Sequence, residues 1–110
     1  MIDWSRVHIL KNEVGVEDFE EIVALFMEEV AEAVAGLHAV QDLSTLADNF
    51  HFLKGSALSL GFTDFFEVCH QCETAASEGN ADAIDLTKTS EVFNRSKTAF
   101  LAGLPQVHAA

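Results

Sequence analysis

The stretch Leu43-Ser44-Thr45-Leu46-Ala47-Asp48-Asn49-Phe50-His51-Phe52-Leu53-Lys54-Gly55-Ser56-Ala57-Leu58-Ser59-Leu60-Gly61 decides the fold. Its apolar residues Leu43, Leu46, Phe50, Leu53, Ala57 and Leu60 step by 3, 4, 3, 4 and 3 positions, which lines one face of an α-helix. Asp42 or Ser44 can cap its start, and Gly61 can end it in a left-handed conformation.

The same periodicity extends outward from this segment. A short helix is expected over about Asp3 to Asn12, with Trp4, Val7 and Leu10 on one face and Gly15 as the break. A second begins near Glu17 or Asp18, whose carboxylates suit a helix N-terminus. Phe19, Ile22, Val23, Phe26, Val30, Ala33, Val34 and Leu37 form its apolar stripe. Beyond Gly61, Thr63 is the expected cap of a helix with Phe65, Phe66, Val68, Cys69, Cys72 and Ala76 facing inward, broken at Gly79-Asn80. A last helix is expected from about Asp82 to Ala102, closed by Gly103 and Pro105. No stretch alternates as a strand does. Four substantial helices with short connections predict an all-α fold, an antiparallel up-and-down four-helix bundle with a short extra N-terminal helix.

The 110 residues suit one domain over 1–110, and 49% hydrophobic residues spread along the chain suffice for a core. The formal charge of -12, from 6 basic and 18 acidic residues, argues against a nucleic-acid partner and against an anionic membrane surface. No apolar run reaches membrane-spanning length, and no secretory signal opens the chain. With two cysteines and no export signal, a reduced cytoplasmic setting is expected.

His51 does not belong to the core stripe of its helix. At about 100° per residue it is turned well away from Phe50 and Leu53, onto a face with Ser44, Ala47, Asp48, Lys54, Gly55, Leu58 and Phe62. Gly55 stands in a helix interior, where it costs about 1 kcal/mol relative to alanine. Four residues after His51, it bares the helix beside the imidazole. Lys54, three residues on, can bring an ammonium group alongside. These three residues suit a nucleophilic imidazole approached by a large partner, with a cation to balance an incoming phosphoryl group. The bland alternative is a surface histidine beside a chance Lys-Gly pair.

The segment from His51 to Phe62 resembles the signature of the histidine-containing phosphotransfer (HPt) domain family: a histidine, an apolar residue two on, Lys-Gly, small residues, an apolar residue and a glycine. Phe65-Phe66 and the stretch from Cys69 to Glu73 are similar to that family's next helix. The resemblance implies a helical bundle that accepts phosphate on His51 from a sensor histidine kinase or a response-regulator receiver domain. It implies no kinase site of its own, no bound cofactor or metal, and a monomer. It assigns Lys54 to phosphate balance and Gly55 to partner access. His70 and Glu73 lie three apart on the following helix, and Glu73 is a candidate acceptor for the imidazole Nδ1–H, leaving Nε2 nucleophilic. The set His51, Lys54, His70 and Glu73 is similar to that in phosphoacceptor domains of chemotaxis-type histidine kinases, whereas many other HPt domains carry glutamine at the position of Glu73. Leu58 and Phe62 are candidate apolar contacts for the partner, or packing at the bundle edge.

Two other readings remain open. A metal-binding bundle would use His70 with Cys69, Cys72 or Glu73, although Cys69 and Cys72 inside a helix fit core packing better. An excised kinase domain would carry the same histidine chemistry.

Overall fold

The computed structural model describes residues 1–40 and 42–109, with the side chains of residues 108 and 109 left aside. It is all-helical, as the periodicity predicts. Among the described residues five helices follow in order: α1, Trp4–Val14; α2, Val16–Gly36; α3, Leu43–Leu60; α4, Thr63–Ser77; and α5, Leu86–Ala109. Short 3-10 turns follow α2 and α4, at Leu37–Ala39 and Ala81–Ala83. The molecule extends 45 × 20 × 19 Å.

α3 meets the sequence expectation closely. Asp42 caps it by accepting from Ser44 N at 3.3 Å. Leu46, Phe50, Leu53, Ala57 and Leu60 are buried, while Leu43 is half-buried at the end. The helix ends on Gly61 at φ +73°. There Phe62 N donates to Ala57 O at 2.8 Å and Gly61 N to Leu58 O at 3.2 Å, which satisfies two terminal carbonyls. A Cβ at Gly61 would collide with the Asp3 backbone, because Asp3 N donates to Gly61 O at 2.7 Å. Glycine is therefore required there twice, for its torsion and for its lack of bulk.

Phe62 corrects a sequence expectation. It is a candidate partner contact on the α3 face, but α3 stops two residues earlier and the chain turns. The ring is fully buried, with centroids 5.5 Å from Phe100 and 6.4 Å from Phe93. Phe65 packs on Phe93 at 5.3 Å, and Trp4 stacks on Phe100 at 5.7 Å. The rings thus tie the α3–α4 turn to α5 and α1. Thr63 is also not the cap of α4. It is the first helical residue, and its hydroxyl donates to Met1 O at 2.8 Å.

The last helix departs further. It starts at Leu86, where the Asp85 side chain accepts from Lys88 N at 3.0 Å, and not near Asp82. Gly103 and Pro105 do not close it; α5 runs on to Ala109. Gly103 is a notch, since a Cβ there would overlap the Trp4 indole. Pro105 removes one helical hydrogen bond, an intrinsic loss of about 3 kcal/mol in a helix interior. Packing against α1 holds the last turns in place. Val107 is buried, and the buried Lys11 ammonium donates to Val107 O at 2.8 Å. A cation at that end also favours the helix dipole.

Replacing Gly103 with valine should lower stability by about 1–3 kcal/mol through forced displacement of the Trp4 ring. Chemical denaturation with indole fluorescence would measure it, and an unchanged midpoint would show that α1 does not dock on α5 as described.

Candidate functional site

The helical phase of α3 fixes the direction of His51. Its neighbours Phe50 and Leu53 are fully buried, so the imidazole is turned outward, and its side chain is 73% exposed. The turn then sets what stands beside it. His51 lies ten residues before Gly61, and Glu73 lies eleven after Phe62. At about 1.5 Å per residue the two are at nearly the same height on helices folded back on each other. Glu73 Oε2 accepts from His51 Nδ1 at 2.7 Å, with Nδ1 as the donor when the ring is neutral. The other carboxylate oxygen, Oε1, pairs with Lys54 Nζ. One carboxylate thus joins the histidine and the lysine that the sequence singles out.

Glu73 is held below the ordinary carboxylate range. The Lys54 ammonium is the main cause, desolvation opposes it, and the His51 hydrogen bond adds to the lowering. A carboxyl depressed in the folded state contributes stability above its unfolded value, and that contribution is lost as the pH falls through the folded one. At neutral pH the group is therefore a full anion that anchors the Nδ1 proton and leaves Nε2 as the free ring nitrogen.

Gly55 occupies the position expected of it. It is exposed, and a Cβ there would meet nothing within 4 Å. Space above the α3 backbone beside His51 is open. A shallow depression next to it is lined by Phe26, His51, Phe52, Gly55, Ser56 and Ser59. Phe52 is 46% exposed and Phe26 half-buried. Sequence reasoning left Phe52 without a role, while Phe26 packs against the core as its place in the α2 stripe predicts and also reaches this depression. The available signal was that Phe52 is a large apolar residue outside the α3 stripe.

His70 is exposed on α4, one turn before Glu73, and its ring stacks on Phe66 at 6.3 Å and 9°. It makes no hydrogen bond or ion pair with His51 or Glu73 among the described residues. Leu58 is 44% exposed, two turns after His51. Cys69 and Cys72 face the core as free thiols. Burial pushes both thiols up, and Thr89 lies 3.9 Å from Cys72. With His70 outside and the thiols inside, these residues do not converge on one coordination point. Among the described residues, no three His, Cys, Asp or Glu side chains do.

A family model described as Hpt domain matches residues 21–109. The chain belongs to the Hpt domain family. Hpt domains are phosphoryl carriers of two-component phosphorelays, working with histidine kinases and response regulators, and they are not kinases themselves. The matched region takes in His51, Lys54, Gly55 and Glu73, whereas α1 precedes it. No curated protein and no solved structure matches the chain. Among the described residues no helix of this Hpt domain is long and apolar enough to cross a membrane.

Replacing Lys54 with alanine should move the Glu73 carboxyl titration upward, because its main stabilising cation is removed. Carbon-detected NMR of the Glu73 side chain would read this shift, and a titration that stays in place would show that the ion pair does not persist in solution.

Proposed function

We propose that His51 is the phosphoacceptor, exchanging a phosphoryl group with the aspartate of response-regulator receiver domains and receiving it in a relay headed by a sensor histidine kinase. The observation that carries this reading is the Nδ1–Glu73 hydrogen bond on a ring whose other nitrogen is free and exposed. The Nε2 lone pair attacks the phosphorus of an aspartyl phosphate. The N–P bond forms as the P–O bond to the aspartyl carboxylate breaks, and the carboxylate leaves with its electron pair. The ring becomes an Nδ1-protonated phosphoimidazolium, whose charge the Glu73 carboxylate balances, so no further proton acceptor is required. Lys54 stands within reach of the same site and can turn from Glu73 to the phosphoryl oxygens. Gly55 admits the partner, and Leu58, Phe52 and Phe26 offer it apolar contacts. His70 flanks the site through its stack on Phe66.

The proposal includes an antiparallel arrangement of α2 to α5 as a four-helix bundle, with residues 1–110 acting as one monomeric module in the cytoplasm. A second reading is favoured by the carboxylate of Glu73, which this chain shares with phosphoacceptor domains of chemotaxis-type kinases. In that setting the donor is the kinase's own ATP-binding domain.

Incubation with phosphorylated receivers should label the wild-type chain with acid-labile phosphate, and the His51→Gln variant should take none. Label on that variant would sink the assignment.

Gly55→Gln should slow receiver transfer at least about tenfold while raising helix stability by up to about 1 kcal/mol. Stopped-flow transfer and thermal melting would measure the two, and transfer at the wild-type rate would place the partner's approach elsewhere.

A further inference from the structure

α4 begins without a side-chain cap. Phe62 stands at its N-cap position and has no side-chain oxygen to offer the first N–H groups. The Thr63 N–H finds its acceptor in the Met1 carbonyl instead, at 3.1 Å, and the Thr63 hydroxyl donates to the same oxygen at 2.8 Å. Beside them Ile2 pairs with Phe62 as an antiparallel bridge, and Asp3 N donates to Gly61 O at 2.7 Å. Residues 1–3 thus form a strap. It supplies an acceptor to the start of α4 and a donor to the glycine that ends α3. The strap is itself anchored. Ile2 packs against the core, and Asp3 opens α1, where its side chain accepts from Ser5 N at 3.1 Å and its carbonyl from Arg6 N at 3.1 Å. Val7, one turn on, is fully buried.

The candidate site lies at the end of a lever that starts at this strap. Glu73 follows Thr63 on α4 at a rise of about 15 Å. Its hydrogen bond to Nδ1 is 2.7 Å long, and a displacement of about 0.5 Å stretches such a bond to its limit. With the turn as pivot, a tilt of α4 by about 2° moves Glu73 that far. The carboxylate is less free to follow than one with a single partner, because Lys54 holds its other oxygen. Bonds that brace both helix ends at the pivot therefore act on the distance between Glu73 and Nδ1.

We propose that the strap of residues 1–3, with Thr63 as its receptor, is a positioning element of the acceptor. It holds α4 on α3 at the tilt that keeps Glu73 on Nδ1, and so keeps His51 in the tautomer whose Nε2 is nucleophilic. These residues act through Glu73 alone. The inference rests on the carrier reading above. It gives Met1, Ile2 and Asp3 a part in the reactivity of His51 although they precede the matched region 21–109, so this brace is not part of what the family model describes.

Two measurements on the full chain test it. Long-range proton–nitrogen NMR of the neutral His51 ring reads the tautomer, and phosphoramidate labelling reads the reactivity of Nε2 without any partner protein. Thr63→Val keeps the shape of the side chain and removes the hydroxyl donor, whereas Ile2→Ser removes the apolar anchor of the strap. Each should lower the share of the Nδ1–H tautomer and slow labelling at least about threefold. Val34→Ala truncates a buried side chain of α2, near the α2–α3 connection and away from the turn. It should lower the melting midpoint at least as much as the strap variants and leave tautomer and labelling rate as in the wild type. Unchanged tautomer and rate in both strap variants, or an equal change in Val34→Ala, overturns the inference and leaves the carrier reading standing. If neither phosphoramidate nor any receiver labels the wild-type chain, the carrier reading fails and the inference falls with it.

Discussion

The turn at Gly61-Phe62 sets the height at which every residue of α4 meets α3, and the geometry of the site follows from it. Gly61 supplies the left-handed torsion and the space for the Asp3 backbone, while Phe62 buries its ring against Phe93 and Phe100. A shift of one residue in this turn would rotate α4 by about 100° and carry Glu73 away from His51. The hydrogen bond that leaves Nε2 free thus depends on packing some 15 Å away.

The candidate site uses few charges, and they pair with one another. Glu73 is shared by an imidazole and an ammonium group, which holds the carboxyl ionised and keeps Lys54 close without burying it. Buried ion pairs incur a large desolvation penalty, whereas these groups retain contact with water and can exchange partners. The same economy appears at the far end of α1, where Lys11 satisfies a terminal carbonyl of α5 and links α1 to α5.

The fold was legible because the α3 stripe, the glycine at 61 and the inward set of α4 are local signals. The misreadings occur where a tertiary contact overrides one. Gly103 and Pro105 read as a helix end, yet Trp4 needs the glycine as a notch and the docked α1 carries the helix past the proline. Phe62 read as a partner contact or as packing at the bundle edge, and the turn at Gly61 decides for packing by directing that ring inward. The depression that Phe26 and Phe52 line was missed because periodicity sorts residues into faces of one helix and cannot show where two helices leave a hollow.

The sequence by itself determined that the chain is helical, that His51 stands off the core, and that Lys54 and Gly55 flank it, since these follow from spacing along one helix. It also pointed to Glu73 as the partner of Nδ1, because a short turn leaves little freedom in how two helices pair. Tertiary structure alone decided that one carboxylate binds both His51 and Lys54, and that His70 stacks on Phe66 instead of joining them. It alone placed Met1 and Asp3 against Thr63 and Gly61. Those relations connect residues distant in the chain, and only packing of the helices against one another brings them within reach.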